Sequence, residues 1–545
     1  DRLTRQAGLA RLDVIELLSE DPSLWSPFIR GAVDGLVHRV RRWRLGPAVR
    51  PPGHPALAPD AIEEAWRALE EMVPTPVIAA GLDPSRRLDP RLAAPGRILL
   101  APVEGADGRG SLEDRLRAWR SAVDSVVPTD DALRGGPPEL HLVIPAAPEP
   151  SALSPRSRAA ASLRRALTAM TAWADIAGPD GLASTPGVDL LHPWRARPEA
   201  RDRLMPMPEL AAWRTLGDVF AGRRFDGGLD IRPDVHAALF APAGDGRSDA
   251  LPVMAVWQDG PSDEPAALEM LVAEGVVRAI DIFGNTRAVE PRRITESGIR
   301  AHRIPITEEP VFIEGVDLEL VRFQVSLRLE PELIISRHAR HQHELVADNP
   351  WDAAVRGHYY ILEPGGFTDD SRRTSRSWQI SPRQSPFRAG PEEDIRAPLD
   401  IRFSPVEEAG EKPLVIDVDL ETEKHYGLIR VERQIQLGLP NVDMQLSFRR
   451  GPGEEGPGVF VEAVVINRRE TSIGADLRSQ APGYPRGSTI LPEVGPGESA
   501  SRVFAFPDGD RRLAGLSVAV SMSLEDGSGR LTKTVEIPNF DAPGR

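Results

Sequence analysis

The 545-residue sequence contains no cysteine. Disulfides, thiolate metal ligands and cysteine nucleophiles are therefore excluded, although this absence assigns no compartment. Lysine is almost as scarce: Lys412, Lys424 and Lys533 are the only three among 66 basic residues. The arginines that make up the rest are scattered along the chain and form no single stripe. No run of about 18 apolar residues occurs, so no segment reads as a membrane-spanning helix. The opening DRLTRQAGLARLDVIELL has no basic region followed by a long apolar block and does not read as a signal peptide. The first residue is not Met, which fits a mature, trimmed or partial chain. Acidic residues number 81, giving a net charge of −15. That balance argues against a nucleic-acid partner, which needs a concentrated positive field.

What is present is ordinary globular material. Hydrophobic residues at 41% and charged residues at 27% exclude a disordered tail, and the length predicts about three to five domains. The pattern changes near residue 225. Before it, short apolar strands alternate with helices: Leu12–Leu18, Val37–Leu45, Pro76–Leu82, Arg97–Val103, Leu140–Ala146 and Val188–His192 read as strands. Asp60–Met72 reads as a helix, as do one face marked by Leu112, Leu116, Trp119, Val123 and Val126 and another by Leu163, Leu167, Met170 and Ala174. A last helix is expected over Glu209–Phe220. Such an alternation predicts a parallel sheet covered by helices. After residue 225 nearly every segment reads as strand, with turns rich in Gly, Pro, Asp and Asn, as antiparallel β-sandwiches require. The fold class expected is multidomain α/β plus all-β. Its expected divisions are 1–224, then a small β-sandwich accessory domain at 225–316, a β-sandwich at 317–439 and an immunoglobulin-like sandwich at 440–545. GPGEEGPG at 451–458 is expected to be a hairpin loop inside the last of these.

Four segments carry a resemblance. DVIELLSEDPSLWSPF (13–28), VHRVRRWRLGPAV (37–49), AIDIFGN (279–285) and EPVFIEGV (309–316) are similar to segments of clan A glycoside hydrolases, the group of β-xylosidases and α-L-arabinofuranosidases. The resemblance covers about residues 1–316 and implies a (β/α)₈ barrel. Under it, Leu12–Leu18 is strand three and the following strands are four to eight, so the chain is expected to be a fragment lacking strands one and two. Residues 440–540, through VINRRETSIGADLRSQAPGY and LPEVGPGESASRVFAF, resemble the immunoglobulin-like domain associated with α-galactosidases. Together these resemblances imply a location outside the cytoplasm: extracellular, periplasmic or at the cell surface.

Glycoside hydrolysis needs two carboxyl groups, and the clan projects them from the carboxyl ends of strands four and seven. Here the Asn-Glu expected after strand four is replaced by Pro47-Ala48, which cannot donate a proton. Glu149, about four residues beyond strand seven, and Glu104, at the end of strand six, are the remaining carboxylates near the mouth; they form either a relocated pair or two solvated loop acids. Trp25, Trp43, His192 and Trp194 are the candidate sugar contacts, with packing as the competing role for Trp25 and Trp43. The stretch RHARHQHELVADN holds His338, His341, His343 and Glu344. His341 and His343 share one strand face, as a zinc pair would, but the interleaved arginines repel a cation and favour a solvated strand end. The Asp-rich stretches 242–249 and 505–512 lack calcium-loop spacing and read as plain turns.

No metal and no cofactor are expected, and the expected partner is a glycan or polysaccharide. Three functions remain open on these residues: a non-catalytic or weakly active carbohydrate-associated protein with a degenerate barrel, an active hydrolase with displaced carboxylates, and a structural or adhesive surface protein.

Overall fold

The computed structural model describes, within the first 153 residues, 16–18, 42–45, 59–71, 77–81, 97–102, 114, 116–118, 120–121 and 139–145. From 154 it describes the chain to 540, except 178–186, 192–193, 198–199, 233, 244–249, 259–265, 297, 338, 365–377, 405 and 454–455. The chain is mostly β and gathers into two compact units. One comprises Asp1–Leu268, Gly275–Glu290 and Arg303–Leu318; the other comprises Glu269–Glu274, Pro291–His302 and Glu319–Arg545.

Six short strands in the first unit form one sheet: β1 (Glu16–Leu18), β2 (Arg42–Leu45), β3 (Val77–Gly81), β4 (Arg97–Pro102), β5 (Glu139–Pro145) and β6 (Gly187–Leu191). They are ordered β1 to β6 without exchange, and every neighbouring pair is parallel. Parallel neighbours require long crossovers. The helix Pro59–Glu70 lies in the crossover from β2 to β3, and Pro155–Ala177 in that from β5 to β6. Leu142, Val143 and Ile144 of β5 are all fully buried. Successive side chains on a strand point to opposite faces, so β5 is covered on both, which explains its unbroken apolar run.

Helix Pro155–Ala177 begins where the Ser154 hydroxyl accepts the Ser157 N–H at 3.1 Å, with Pro155 supplying a preset φ at the first helical position. Its buried face includes Leu163, Leu167 and Met170, as the helical spacing predicts. The next helix, Pro208–Phe220, buries Glu209, whose carboxylate meets Arg158 Nε at 3.2 Å.

A second, six-stranded sheet follows in the order Thr286–Val289, Val277–Ile280, Val311–Glu314, Val253–Gln258, Val235–Pro242, Arg223–Arg232, with the register-assigned pairs antiparallel. All six residues of Val253–Gln258 are buried, as befits a central strand. The AIDIFGN segment is a turn held by one carboxylate. Asp281 Oδ1 accepts the N–H groups of Phe283 and Asn285, both at 2.9 Å, and Oδ2 accepts the Asn285 amide at 2.8 Å. Burial pushes the Asp281 carboxyl up, but these hydrogen bonds from Asn285 and Phe283 outweigh it and hold the group below its ordinary range. Gly284 takes φ +84°, which a side chain would strain.

The second unit contains two pairs of sheets. In the first pair, a four-stranded sheet (Arg328–Glu330, His341–Ala347, Ile395–Phe403, Trp378–Ser381) shares a core with a five-stranded one (Leu333–Ile335, His425–Gly438, Gly410–Glu421, Val355–Glu363, Gln384–Ala389). Leu345 and Ile401 from one sheet and Tyr359, Ile416 and Ile429 from the other are fully or nearly fully buried in that core. Two-sheet burial of this kind contributes about 1.5–3 kcal/mol per large apolar side chain. In the second pair, Val442–Gly453, Gly456–Asn467 and Ser499–Pro507 share a core with Gly487–Val494, Ile473–Gln480, Ser517–Leu524 and Arg530–Glu536. Val459, Val461, Ala463 and Val465 alternate inward along one strand. Gly451 lies opposite Gly458 and Gly453 opposite Gly456, so the Gly-Pro-rich segment is the expected hairpin.

Candidate functional site

The order of β1–β6 aligns the carboxyl ends of these strands along one edge of the sheet, where a parallel sheet collects its functional groups. Of the sequence candidates, Glu104, Glu149, Trp25 and His192 lie outside the described residues. Trp43 sits in β2 opposite Glu16 of β1 and Ile78 of β3. It is 1% exposed, and its indole Nε1 has no hydrogen-bond partner among the described residues. Trp194 opens the short strand Trp194–Arg197, which pairs antiparallel with Ala200–Pro206 and sets Trp194 opposite Pro206. β2 ends at Leu45, so Gly46-Pro47-Ala48 is the sequence that leaves that strand.

The histidine pair shares a strand face, as the period of two predicts, but the strand end is not solvated. His341 and His343 are 6% and 5% exposed. His341 Nε2 donates to the Arg337 carbonyl at 3.1 Å and its ring stacks on Phe403 at 5.3 Å; His343 Nδ1 donates to the Pro331 carbonyl at 2.9 Å. A carbonyl only accepts, so each of these nitrogens carries a proton. Burial holds both imidazoles below their ordinary pKa. The Glu344 carboxylate turns to Arg396 at 3.1 Å, and His338 lies outside the described residues. Among the described residues no group of three or more His, Asp or Glu side chains is placed to hold a metal. Asp510, in one of the Asp-rich turns, pairs with Arg450 at 2.8 Å.

Two cavities open within the second unit. One, of about 270 Å³, is lined by Leu271, Ile299, Arg300, Tyr426 and Leu428. The Tyr426 ring there is flanked by Trp351 at 5.8 Å and by the Lys424 ammonium at 6.0 Å, so protein already occupies its surroundings. The other, of about 230 Å³, lies where five strands converge and is lined by Leu439, Asn441, Val442, Asp443, Arg468 and Lys533 among others. Lys533 Nζ lies 3.0 Å from Asp443 Oδ1. Burial pushes the Asp443 carboxyl up, but the Lys533 ammonium and the Met444 N–H lower it further, so it stays ionised. Sequence reading missed this cavity: Asp443 and Lys533 stand on separate strands and Arg468 just beyond a third, and the rarity of lysine was the one signal pointing to Lys533.

No protein-family model matches the chain, and the comparison with curated proteins returns no match. Among solved structures, a family 39 glycoside hydrolase from the gut symbiont Bacteroides cellulosilyticus WH2 is similar over 53% of this chain and 60% of its own, at 12% identity and a TM-score of 0.33. Red sea bream transglutaminase is similar over 39% of this chain and 31% of its own, at 13% identity and a TM-score of 0.18. The GH2 β-galacturonidase from Eisenbergiella tayi, solved with galacturonate, is similar over 52% and 45%, at 11% identity and a TM-score of 0.16. The chain thus spans less than two thirds of each of these three proteins. These likenesses assign no family, and at such scores they carry no argument about fold or activity. No helix among the described residues is long and apolar enough to cross a membrane.

Proposed function

We propose that the chain is a carbohydrate-associated protein in which β1–β6 are strands three to eight of a glycoside-hydrolase-like (β/α)₈ barrel, followed by β-sandwich modules at 225–316, 317–439 and an immunoglobulin-like 440–545. The observation that carries the reading is the strictly sequential parallel order of the six strands. Doubly wound sheets reverse strand order at a switch point, whereas a barrel adds each strand beside the last. The burial of β5 on both faces fits a parallel sheet covered by helices, which either winding provides.

Under this reading β2 is strand four, and the residues that follow it, Gly46-Pro47-Ala48, supply no carboxyl group. A positioned general acid is worth roughly 10²–10⁴ in rate, so its loss predicts a non-catalytic or weakly active protein that retains glycan contact. Trp194, close behind β6, and His192 remain the candidate contacts, and a place outside the cytoplasm suits a polysaccharide partner.

The test pairs a panel of aryl glycosides with a glycan array. Glycan binding without turnover supports the proposal. Turnover abolished by Glu149→Gln overturns it in favour of an active hydrolase with displaced carboxylates, with Glu104 as the second group. Neither turnover nor binding, alongside cell-wall retention or self-association, overturns it in favour of a structural or adhesive surface protein.

A further inference from the structure

We propose that the 230 Å³ cavity around Lys533, Asp443 and Arg468 is a binding site for a single carboxylated sugar ring, a hexuronate. The cavity lies wholly within the second unit, so the proposal does not rest on the barrel reading.

Its walls are tied down by backbone. Ala409 N–H donates to the Thr532 carbonyl at 2.7 Å, Ser336 N–H to the Gly438 carbonyl at 2.7 Å, and Arg468 N–H to the Asn441 carbonyl at 2.8 Å. A site held open in this way spares a ligand the ordering cost that a collapsing pocket would impose.

The chemistry of the lining is mixed in the manner that a polar ring requires. Leu439, Val442 and Leu531, all under 7% exposed, give an apolar wall. Asn441 contributes an amide that donates and accepts. Asp443 is a fixed acceptor for hydroxyl groups, and its partner Lys533 has two further N–H donors beyond the bond to Asp443. The exposed Arg468 guanidinium makes no ion pair among the described residues.

Charge selects the ligand. Lys533 and Asp443 neutralise one another, and Arg468 leaves the cavity with one net positive charge in a chain of net −15. A carboxylate is the group that completes this set, with Arg468 presenting a fork matched to its two oxygens. Size selects further. The cavity falls below the 300–1,000 Å³ or so of sites that enclose drug-sized molecules, which limits the enclosed part to one ring.

The experiment is calorimetric titration of the full chain with glucuronate and galacturonate, against glucose and acetate at equal ionic strength. The expected result is uronate binding at least tenfold tighter than either control. Arg468→Ala should weaken it at least tenfold, and Arg468→Lys should restore part of the loss. Because Arg468 is exposed, the Ala variant is expected to keep the parent's thermal midpoint, and Arg300→Ala in the other cavity should leave uronate binding unchanged. Equal binding of acetate, equal binding of glucose, no uronate binding, or an Arg468→Ala variant that binds as the parent does would each overturn the proposal.

Discussion

Glu314 and Arg223 meet at 2.5 Å across a sheet, although 91 positions separate them in the chain. The second oxygen of Glu314 accepts from Arg278, so one largely buried carboxylate ties together three strands of the six-stranded sheet. Glu314 of the EPVFIEGV segment is thus a structural clamp. Removing one partner of a buried pair leaves the other uncompensated, at a cost of about 3–5 kcal/mol. Glu314→Ala should therefore lower stability by an amount near the bottom of that range, since Arg278 is solvent-exposed and Arg223 also bonds backbone carbonyls. Urea denaturation followed by hydrogen exchange in Val253–Gln258 would measure it, and an unchanged midpoint would refute the clamp.

His341 and His343 predict a pH dependence whose sign follows from their burial. Both are held below the ordinary imidazole pKa in the folded chain, so the unfolded chain binds protons more readily. Their contribution to stability is complete above about pH 6.5, the unfolded value, and is lost as pH falls from there through the folded values. Denaturation midpoints should drop between pH 7.5 and 5.5. Replacing the imidazole that stacks on Phe403, as in His341→Phe, should flatten that slope; an identical slope in the variant would assign the dependence to other groups.

Gly357 predicts a packing limit. A Cβ at this position would lie 2.0 Å from the Asp419 carbonyl oxygen and 2.8 Å from the Phe387 ring. The neighbouring backbone cannot yield as a flexible side chain would. Gly357→Ala should cost at least the roughly 1–3 kcal/mol typical of overpacking, read as a fall in thermal midpoint; a midpoint equal to the parent's would refute the close approach.

Arg433 predicts a dependence on a helix end. Its guanidinium donates to the carbonyls of Gln324 and, at 3.2 Å, Leu327, capping the helix Leu318–Ser326. Burial pulls its pKa down to about 10, so it stays charged at neutral pH. Arg433→Met should leave those carbonyls unpaired and cost about 1–3 kcal/mol. Faster amide exchange confined to that helix would be the local signature; uniform exchange would argue against capping.

Some of this was legible residue by residue. Arg97–Val103 was expected as a strand and Arg97–Pro102 is one; Leu163, Leu167 and Met170 were expected on one buried helix face and lie there. Burial on both faces writes an unbroken apolar run into a parallel strand, and a helix writes its buried side at every third or fourth residue. These are local records, and local periodicity reads them.

The sharing of a face by His341 and His343 was equally local, but the choice between core and solvent was not. It depended on Phe403, from a paired strand, and on the carbonyls of Arg337 and Pro331. The meeting of Asp443, Arg468 and Lys533 was still further from view. Which strands pair, and in what register, is settled by long-range burial, because a shift of one residue would turn every side chain to the opposite face. Composition and spacing therefore marked many of the strands and helices and fixed which charges the chain carries, though not the helix Leu318–Ser326, in a region that reads as strand. Only the tertiary pairing decided which of those charges meet, and hence where a ligand would find them.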